Sequence, residues 1–539
     1  MEEGRFFLEG YAGFAGIRDL SGIRVFLQAD TREIFPCEIL DVDTDRVEGA
    51  RWLGELVFPA LTFRCEAKNL WQREKWSFRL YTEYRGVMVE RKLLLLGWLF
   101  PMEETFRNSY ARVGQWIVQK VGNRLLLSRQ SFWGNAWKEG KLLLEIARKG
   151  GPGKWEGVCF RLLYHTMKPL CPKNIWLISD RINKADDNGE ALFRYLKETG
   201  KPEHAYFVLR RDSVDYGRVS RYGTVLGYGS LRHKLMHLLA GRICSSAADE
   251  FVYNPFGEGQ RYYWDILRQQ PRVFLQHGII KDDLSGWLNC YKKNLSLFVT
   301  STVSEYHSVL GRKYWYGDDV VKLTGLPRYD RLESRERNTV LVMPTWRKYL
   351  ADGSTYARDG ISRYGENFTE TKYFRFYDAL LNHPRLLDAA KSRGYRILFV
   401  PHPNLMSALS LFRRNSCVEF ASLHTRYSDV FSRCALAVTD YSSAVFDAAY
   451  LYRPIVYCQF DRKEFFAGHV YREGYFDYER DGFGEVEHEL DGTVRRMIEY
   501  MDRNCELKER YRRRIDCFFA FHDRRNCQRV YEAIRLMGD

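Results

Sequence analysis

From about residue 171 onward, short apolar segments alternate with stretches of helical periodicity. This rhythm is what strands buried on both faces of a parallel sheet require. A first series of candidate strands covers 174–180, 205–210, 224–228, 242–248, 272–277, 295–301 and 320–325. A second covers 339–345, 396–402, 436–440 and 454–459. Helices are predicted over 188–199, 230–240, 302–310, 371–393, 443–452 and 492–500. Parallel strands need a crossover between them, and a helix is the usual one. Two series therefore predict two Rossmann-like α/β halves, 171–330 and 331–503, divided in the charged stretch between 325 and 338. A helical segment, 504–539, rich in Arg and Phe, is expected to pack back across both halves.

The rest of the 539-residue chain leaves room for further units. Residues 1–106 have strand character, at 23–30, 56–65, 76–84 and 87–98, and predict a small β-rich accessory domain. Residues 107–170 are expected to form a basic, partly helical, membrane-proximal segment. Within 107–168, twelve Lys/Arg face only Glu139, Glu145 and Glu156, so this stretch holds much of the chain's net charge of +14. Basic helices with an apolar face lie on anionic lipid, and Lys138, Lys141, Arg148, Lys149 and Lys154 are the candidate membrane-surface cations. Ordinary helices with a solvated basic face are the alternative. The 150–153 GGPG run breaks any single long helix.

Several classes are excluded at this level. The twelve cysteines form no CxxC pair, so no zinc knuckle or redox couple is expected, and no metal cluster is evident. No basic leader precedes an apolar core at the N-terminus, and the strongest apolar run, 94–100, is too short to cross a bilayer. A location on the cytoplasmic side, with membrane contact only from the surface, is the expectation. The basic surplus coincides with no nucleic-acid recognition motif, so nucleic acid is not an expected partner.

Ligands of open α/β sheets bind beyond the C-terminal ends of the strands, and chemistry-bearing residues gather there. The segment FLQHG ends a strand with His277 and Gly278, and Lys281 follows four positions after the histidine. Histidine accepts a hydroxyl proton near neutral pH, which suits a general base. The second series places His402 between Pro401 and Pro403 at an equivalent strand end. Thr345 and Arg347 end another strand, and Arg328 lies in TGLPRYD. Guanidinium forks match phosphate oxygens. The strand ending at Asp440 leads through Ser442 and Ser443 into a helix start, where a phosphate can bind or the serines can simply cap. Asp447 is a further candidate acid.

Taken together, Trp176, Ser179, Asp180 and Arg181, the ADDNG run 185–189, QHG with Lys281, TGLPRYD (324–330), PTWR (344–347), PHP (401–403) and TDYSS (439–443) resemble the CDP-glycerol glycerophosphotransferase family, which builds teichoic acids and related phosphopolyol polymers. The resemblance implies a GT-B fold, with the nucleotide held mainly by the second half. It also implies peripheral association with the inner membrane face, where a lipid-linked polyol-phosphate polymer is the acceptor. The family's two catalytic histidines fall by motif on His277 and His402. His277 would take the hydroxyl proton, while His402, Arg347 and the Ser442–Ser443 turn would hold the diphosphate. CDP-glycerol is the implied donor and no cofactor is required.

The segment HGIIKDD departs from the family's common HGT-P-x-K. CDP-ribitol as donor, or a capsular product, is therefore the alternative. A nucleotide-sugar-dependent GT-B glycosyltransferase is another enzyme class with this architecture, and a noncatalytic polymer-binding protein is a third reading. Homo-oligomerisation is left open by the sequence.

Overall fold

A computed structural model describes residues 6–13, 20–43, 60–93, 102, 105–172, 174–201, 204–311, 313–350, 366–422, 425–468 and 472–537. The apolar run 94–100 lies outside them. The chain divides into two compact units: Met1–Pro169 with Phe256–Gln269, and Leu170–Pro255 with Gln270–Asp539.

The first unit carries a nine-stranded sheet among the described residues. Its described strand pairs are antiparallel and run in the order Phe6–Gly13, Ala60–Ala67, Ile34–Asp43, Arg24–Ala29, Lys75–Tyr84, Arg124–Arg129, Trp116–Val121 and Ala111–Val113, with Val87–Arg91 also on Lys75–Tyr84. Here the structure corrects the boundary expected at 106/107. The sheet continues to Arg129, and residues 111–129 are strands, not helix. Two glycine turns explain this: Gly114 and Gly122 have φ of 56° and 59°, the left-handed conformation that tight hairpins require. After the second turn, alternation of buried Leu125 and Leu127 with less buried neighbours is a period of two, and Trp116, Leu125 and Leu127 all enter the sheet's core.

Helices begin only at Phe132–Lys149, capped by the Ser131 hydroxyl accepting from Gly134 N–H, and resume at Lys154–Met167. The intervening Gly153, at φ 76°, breaks the run. A buried ion network fastens these helices to the segment Phe256–Gln269. Arg161, 1% exposed, donates to both Glu139 oxygens at 2.7 Å and to both Asp265 oxygens at 2.6 and 2.9 Å. Tyr110 donates to Glu139 at 2.6 Å. The outer face is unusually apolar and basic. Phe132, Trp133, Trp137 and Trp155 are 77, 80, 67 and 64% exposed, with Lys141 over the Trp137 ring and Lys154 over Trp155. Arg148 and Lys149 are exposed, whereas Lys138 is partly buried and turned onto Gln119. No helix among the described residues is long and apolar enough to cross a membrane.

The second unit holds two parallel sheets. The first has seven strands, ordered Val225–Gly227, Ala205–Leu209, Trp176–Ser179, Arg242–Ser245, Arg272–Phe274, Leu297–Thr300 and Val321–Leu323. The second has six, ordered Val418–Phe420, Arg396–Phe399, Thr339–Met343, Cys434–Thr439, Ile455–Cys458 and Gly484–Glu487. Central strands such as Cys434–Thr439 are buried at every residue, which is why they read as continuous apolar runs. The helix predicted over 371–393 is two, Lys372–Leu381 and Pro384–Ser392, because Pro384 cannot continue the first. The edge strands Val418–Phe420 and Gly484–Glu487 were not expected; they are only three and four residues long, and Glu419, Glu485 and Glu487 interrupt their apolar character.

The C-terminal helices serve both halves of this unit. Glu509–Phe518 packs Ile515 and Phe518 beside Phe446, Phe476 and Phe483. Asn526–Leu536 returns to the first half, where Asn526 and Cys527 N–H groups donate to Asp330 at 2.9 and 2.7 Å.

Candidate active site

A cleft of about 560 Å³ opens between the C-terminal strand ends of the two parallel sheets. Among its lining residues are His277, Gly278, Lys281, Arg328, Thr345, His402, Ser442 and Ser443. The two histidines, 125 positions apart in the chain, thus share one cavity.

The turn that presents His277 is built tightly. Gln276 adopts φ 63°, a left-handed conformation costly for a residue with a Cβ, of order 1 kcal/mol. Three hydrogen bonds fix it. The Gln276 amide donates to Glu305 at 3.0 Å and also to the Val299 carbonyl, while Asn188 Nδ2 donates to the Gln276 carbonyl at 2.7 Å. Glu305 also accepts the Ile280 N–H at 2.6 Å and the Ser301 N–H at 2.7 Å. Burial pushes the Glu305 carboxyl up to about 7, against these hydrogen bonds. Gly278 permits close approach, because a Cβ there would lie 3.3 Å from Ser443 Oγ in the other half.

The His277 ring is crowded by the cleft walls and yet open to cleft water. Enclosure first, then the guanidiniums of Arg181 and Arg328, hold it below the ordinary imidazole range; a hydrogen bond to the Ser246 backbone works the other way without reversing this. Its resting form at neutral pH is therefore the neutral ring, the form that accepts a proton. His402 is half-buried and stacks on Trp346, with ring centroids 5.9 Å apart and planes at 26°.

Three of the expected phosphate-binding cations have other work. Arg347 is 1% exposed and does not line the cleft. Its guanidinium donates to Asp461 at 2.8 and 2.9 Å, to the Thr345 carbonyl at 2.6 Å, and pairs with Asp440 at 2.9 Å. Tyr373, Tyr441 and Phe465 enclose it. Asp440, expected to contact ligand, is fully buried under the same arginine and accepts the Thr345 N–H at 2.8 Å. Against the expectation, both groups lie buried behind the cleft wall, where they bond the Thr345 N–H and carbonyl. Lys281, 3% exposed, pairs with Asp282. Arg328 lines the cleft but is bidentate on Asp447 at 2.7 and 2.8 Å and donates to Asp187 at 2.8 Å.

The hydroxyls divide similarly. Ser442 Oγ accepts the Ala444 N–H at 3.2 Å and acts as a cap for a turn leading into the short helix Phe446–Tyr450. Ser443 is half-buried in the cleft wall. Thr345 Oγ1 is buried beside the cleft and has no hydrogen-bond partner among the described residues, the condition of a hydroxyl that a bound anion would satisfy.

Sequence reasoning missed Arg181, Asp187, Asn188, Gln276 and Glu305 as site residues. Arg181, Asp187 and Asn188 follow the strand Trp176–Ser179, so the strand-end rule could have found them. Glu305 carried no signal, since it reads as the third residue of an ordinary helix. Among the described residues, no group of three or more His, Cys, Asp or Glu side chains could hold a metal ion.

The Arg347 assignment can be checked by stability. Arg347→Met leaves Asp440 and Asp461 buried without their cation, and should destabilise the folded protein by about 3–5 kcal/mol in denaturant titration. A loss below about 1 kcal/mol would contradict a structural role.

The sequence profile of the family described as CDP-glycerol:poly(glycerophosphate) glycerophosphotransferase matches residues 160–536. The minor teichoic acid biosynthesis protein GgaB of Bacillus subtilis (strain 168) is 35% identical over 434 residues, covering 79% of this chain and 47% of GgaB. The chain therefore spans about half the length of that relative. The solved wall teichoic acid polymerase TagF superposes with a TM-score of 0.53 at 16% identity, over 75% of this chain and 98% of that one. Its H548A form gives 0.54 at 15% identity, over 74% and 97%. At such identity the likeness establishes the fold, which is GT-B-like with an antiparallel accessory sheet. With a profile match across more than half its length, the chain belongs to the CDP-glycerol:poly(glycerophosphate) glycerophosphotransferase family.

Proposed function

We propose that this cleft transfers a polyol phosphate from a CDP-linked donor, CDP-glycerol foremost, to a hydroxyl of a lipid-linked teichoic-acid-like or capsular polymer. The observation that carries the reading is the pair His277 and His402, presented from strand ends of two sheets into one cavity. The acceptor hydroxyl oxygen attacks the polyol-bearing phosphorus. A new P–O bond forms as the diphosphate P–O bond breaks, and CMP leaves with the electron pair. His277, neutral at rest, takes the hydroxyl proton. His402, oriented by Trp346, together with Thr345 and Ser443, steadies the diphosphate as charge moves onto CMP. Lys281, Arg328, Arg347, Asp440 and Ser442 act from behind, as the framework of the two loops. No cofactor enters this scheme. CDP-ribitol remains the second donor to test, because the turn after His277 carries Ile279 and Ile280 where the family's common pattern has threonine and proline.

The purified protein, given lipid-linked acceptor and either CDP-glycerol or CDP-ribitol, should release CMP. His277→Ala and His402→Ala should each lower that rate by at least about 10²-fold. CMP release from neither donor would refute the transfer, and near-normal release by either variant would remove that histidine from catalysis.

The same reading places the enzyme on the cytoplasmic membrane face, where a lipid-linked acceptor is held. Exposed Trp133, Trp137 and Trp155 supply interfacial anchors, and Lys141, Arg148, Lys149 and Lys154 supply attraction to anionic headgroups. Lys138 contributes less, being turned onto Gln119. Replacing the three tryptophans by Ser should release most of the protein from phosphatidylglycerol-containing vesicles in cosedimentation. Retention equal to the parent protein would exclude this face as the contact.

A further inference from the structure

We propose that Arg181 is the cation that contacts the transferred phosphate, its guanidinium binding the non-bridging oxygens of the phosphoryl group attacked beside His277. The proposal rests on the transfer reading above for the identity of the phosphate, and on the cleft alone for the anion site.

Most of the cleft's positive groups already have partners within the protein. Arg328 is held by Asp187 and Asp447, Arg426 by Asp186, Lys281 by Asp282, Arg331 by Glu198 and Arg335 by Asp429. Lys184 donates to the Thr425 carbonyl at 2.8 Å, and Arg194 lies over the Tyr222 ring at 4.4 Å. Each already has a partner in the protein: an acid, a backbone carbonyl for Lys184, or an aromatic ring for Arg194. Arg181 differs. Its backbone closes a bridge with Lys184, N–H to carbonyl at 3.2 Å, which fixes where the side chain departs. Its side chain is exposed, lines the cleft, and among the described residues is engaged by no carboxylate.

Its position is as telling as its freedom. Arg181 lies two residues beyond the strand Trp176–Ser179, at the ligand-facing end of the first sheet. It is near enough to His277 and to Asp187 for its charge to be felt by both. A positive charge beside a base is unfavourable for taking up a proton, unless an anion arrives between them. The phosphoryl group under attack is such an anion. Arginine's planar fork suits two of its oxygens at once, and it gains contact as negative charge builds there. Arg181 moves no proton and no electron pair in the step; it holds the group while oxygen replaces CMP at phosphorus.

The full-length protein can be tested in two ways that do not depend on each other. Calorimetric titration with inorganic pyrophosphate reads the anion site without turnover, and CMP release reads the reaction. Arg181→Ala should weaken pyrophosphate binding at least tenfold and lower kcat/KM for CMP release by about 10²–10³-fold. Arg181→Lys should fall between, and added guanidinium ion should restore part of the rate to Arg181→Ala but not to His277→Ala. Pyrophosphate affinity and rate within threefold of the parent protein would overturn the proposal. So would a rate loss that guanidinium does not restore, or a parent protein that binds no pyrophosphate. A parent protein that binds pyrophosphate through Arg181 yet releases no CMP would refute the transfer reading and leave this anion site standing.

Discussion

Arg328 gathers three groups from two separate segments of the second unit: the Asp187 carboxylate, the Asn188 side-chain oxygen and the Asp447 carboxylate. Two belong to the loop and helix after the first strand, and the third to a short helix of the opposite half. Its own turn, Pro327–Arg331, closes the first half. A buried, bidentate pair of this kind adds little net stability, because desolvation consumes most of the Coulombic gain. What it fixes is geometry. With the guanidinium held from both sides, the strand ends that carry His277 and Ser443 are brought to the separation at which Gly278 is needed. Asn188 then passes that order onward, since its amide also anchors the Gln276 carbonyl immediately before His277.

The cleft's charge is therefore layered. Next to the backbone lie cations already matched by acids: Arg347 with Asp440 and Asp461, Lys281 with Asp282, Arg328 with its two aspartates. Their role is to hold loops in shape without competing for ligand. In front of them stand groups with capacity left, namely the neutral His277, the unpartnered Thr345 hydroxyl and the uncommitted Arg181. On the proposed transfer reading, a diphosphate entering such a site meets few donors, each fixed in advance by what lies behind it, and preorganisation of this kind is the main electrostatic resource of phosphoryl transfer.

The parallel sheets were readable because strands buried on both faces leave continuous apolar runs, and the histidines because such sheets place function at strand ends. Two kinds of information were not readable. Strands at 111–129 hid inside a basic stretch whose leucine runs imitate a helical face; only the glycines at 114 and 122 betray the hairpins. The second kind is pairing. Arg347 and Arg328 look alike as strand-end arginines, yet one is sealed under Asp440 and Asp461 and the other bridges two halves. Which acid reaches which guanidinium is decided by folding across long separations, 114 positions for Arg347 and Asp461, 119 for Arg328 and Asp447 and 141 for Arg328 and Asp187. Local pattern contains nothing about it.

The central claim is that His277 and His402 face the same bound donor. Diethyl pyrocarbonate, which acylates neutral imidazole, followed by peptide mass spectrometry, tests it most directly. CDP-glycerol should protect both His277 and His402 from modification while leaving the exposed histidines outside the cleft unchanged. Equal modification of either one with and without saturating CDP-glycerol or CDP-ribitol would contradict the account.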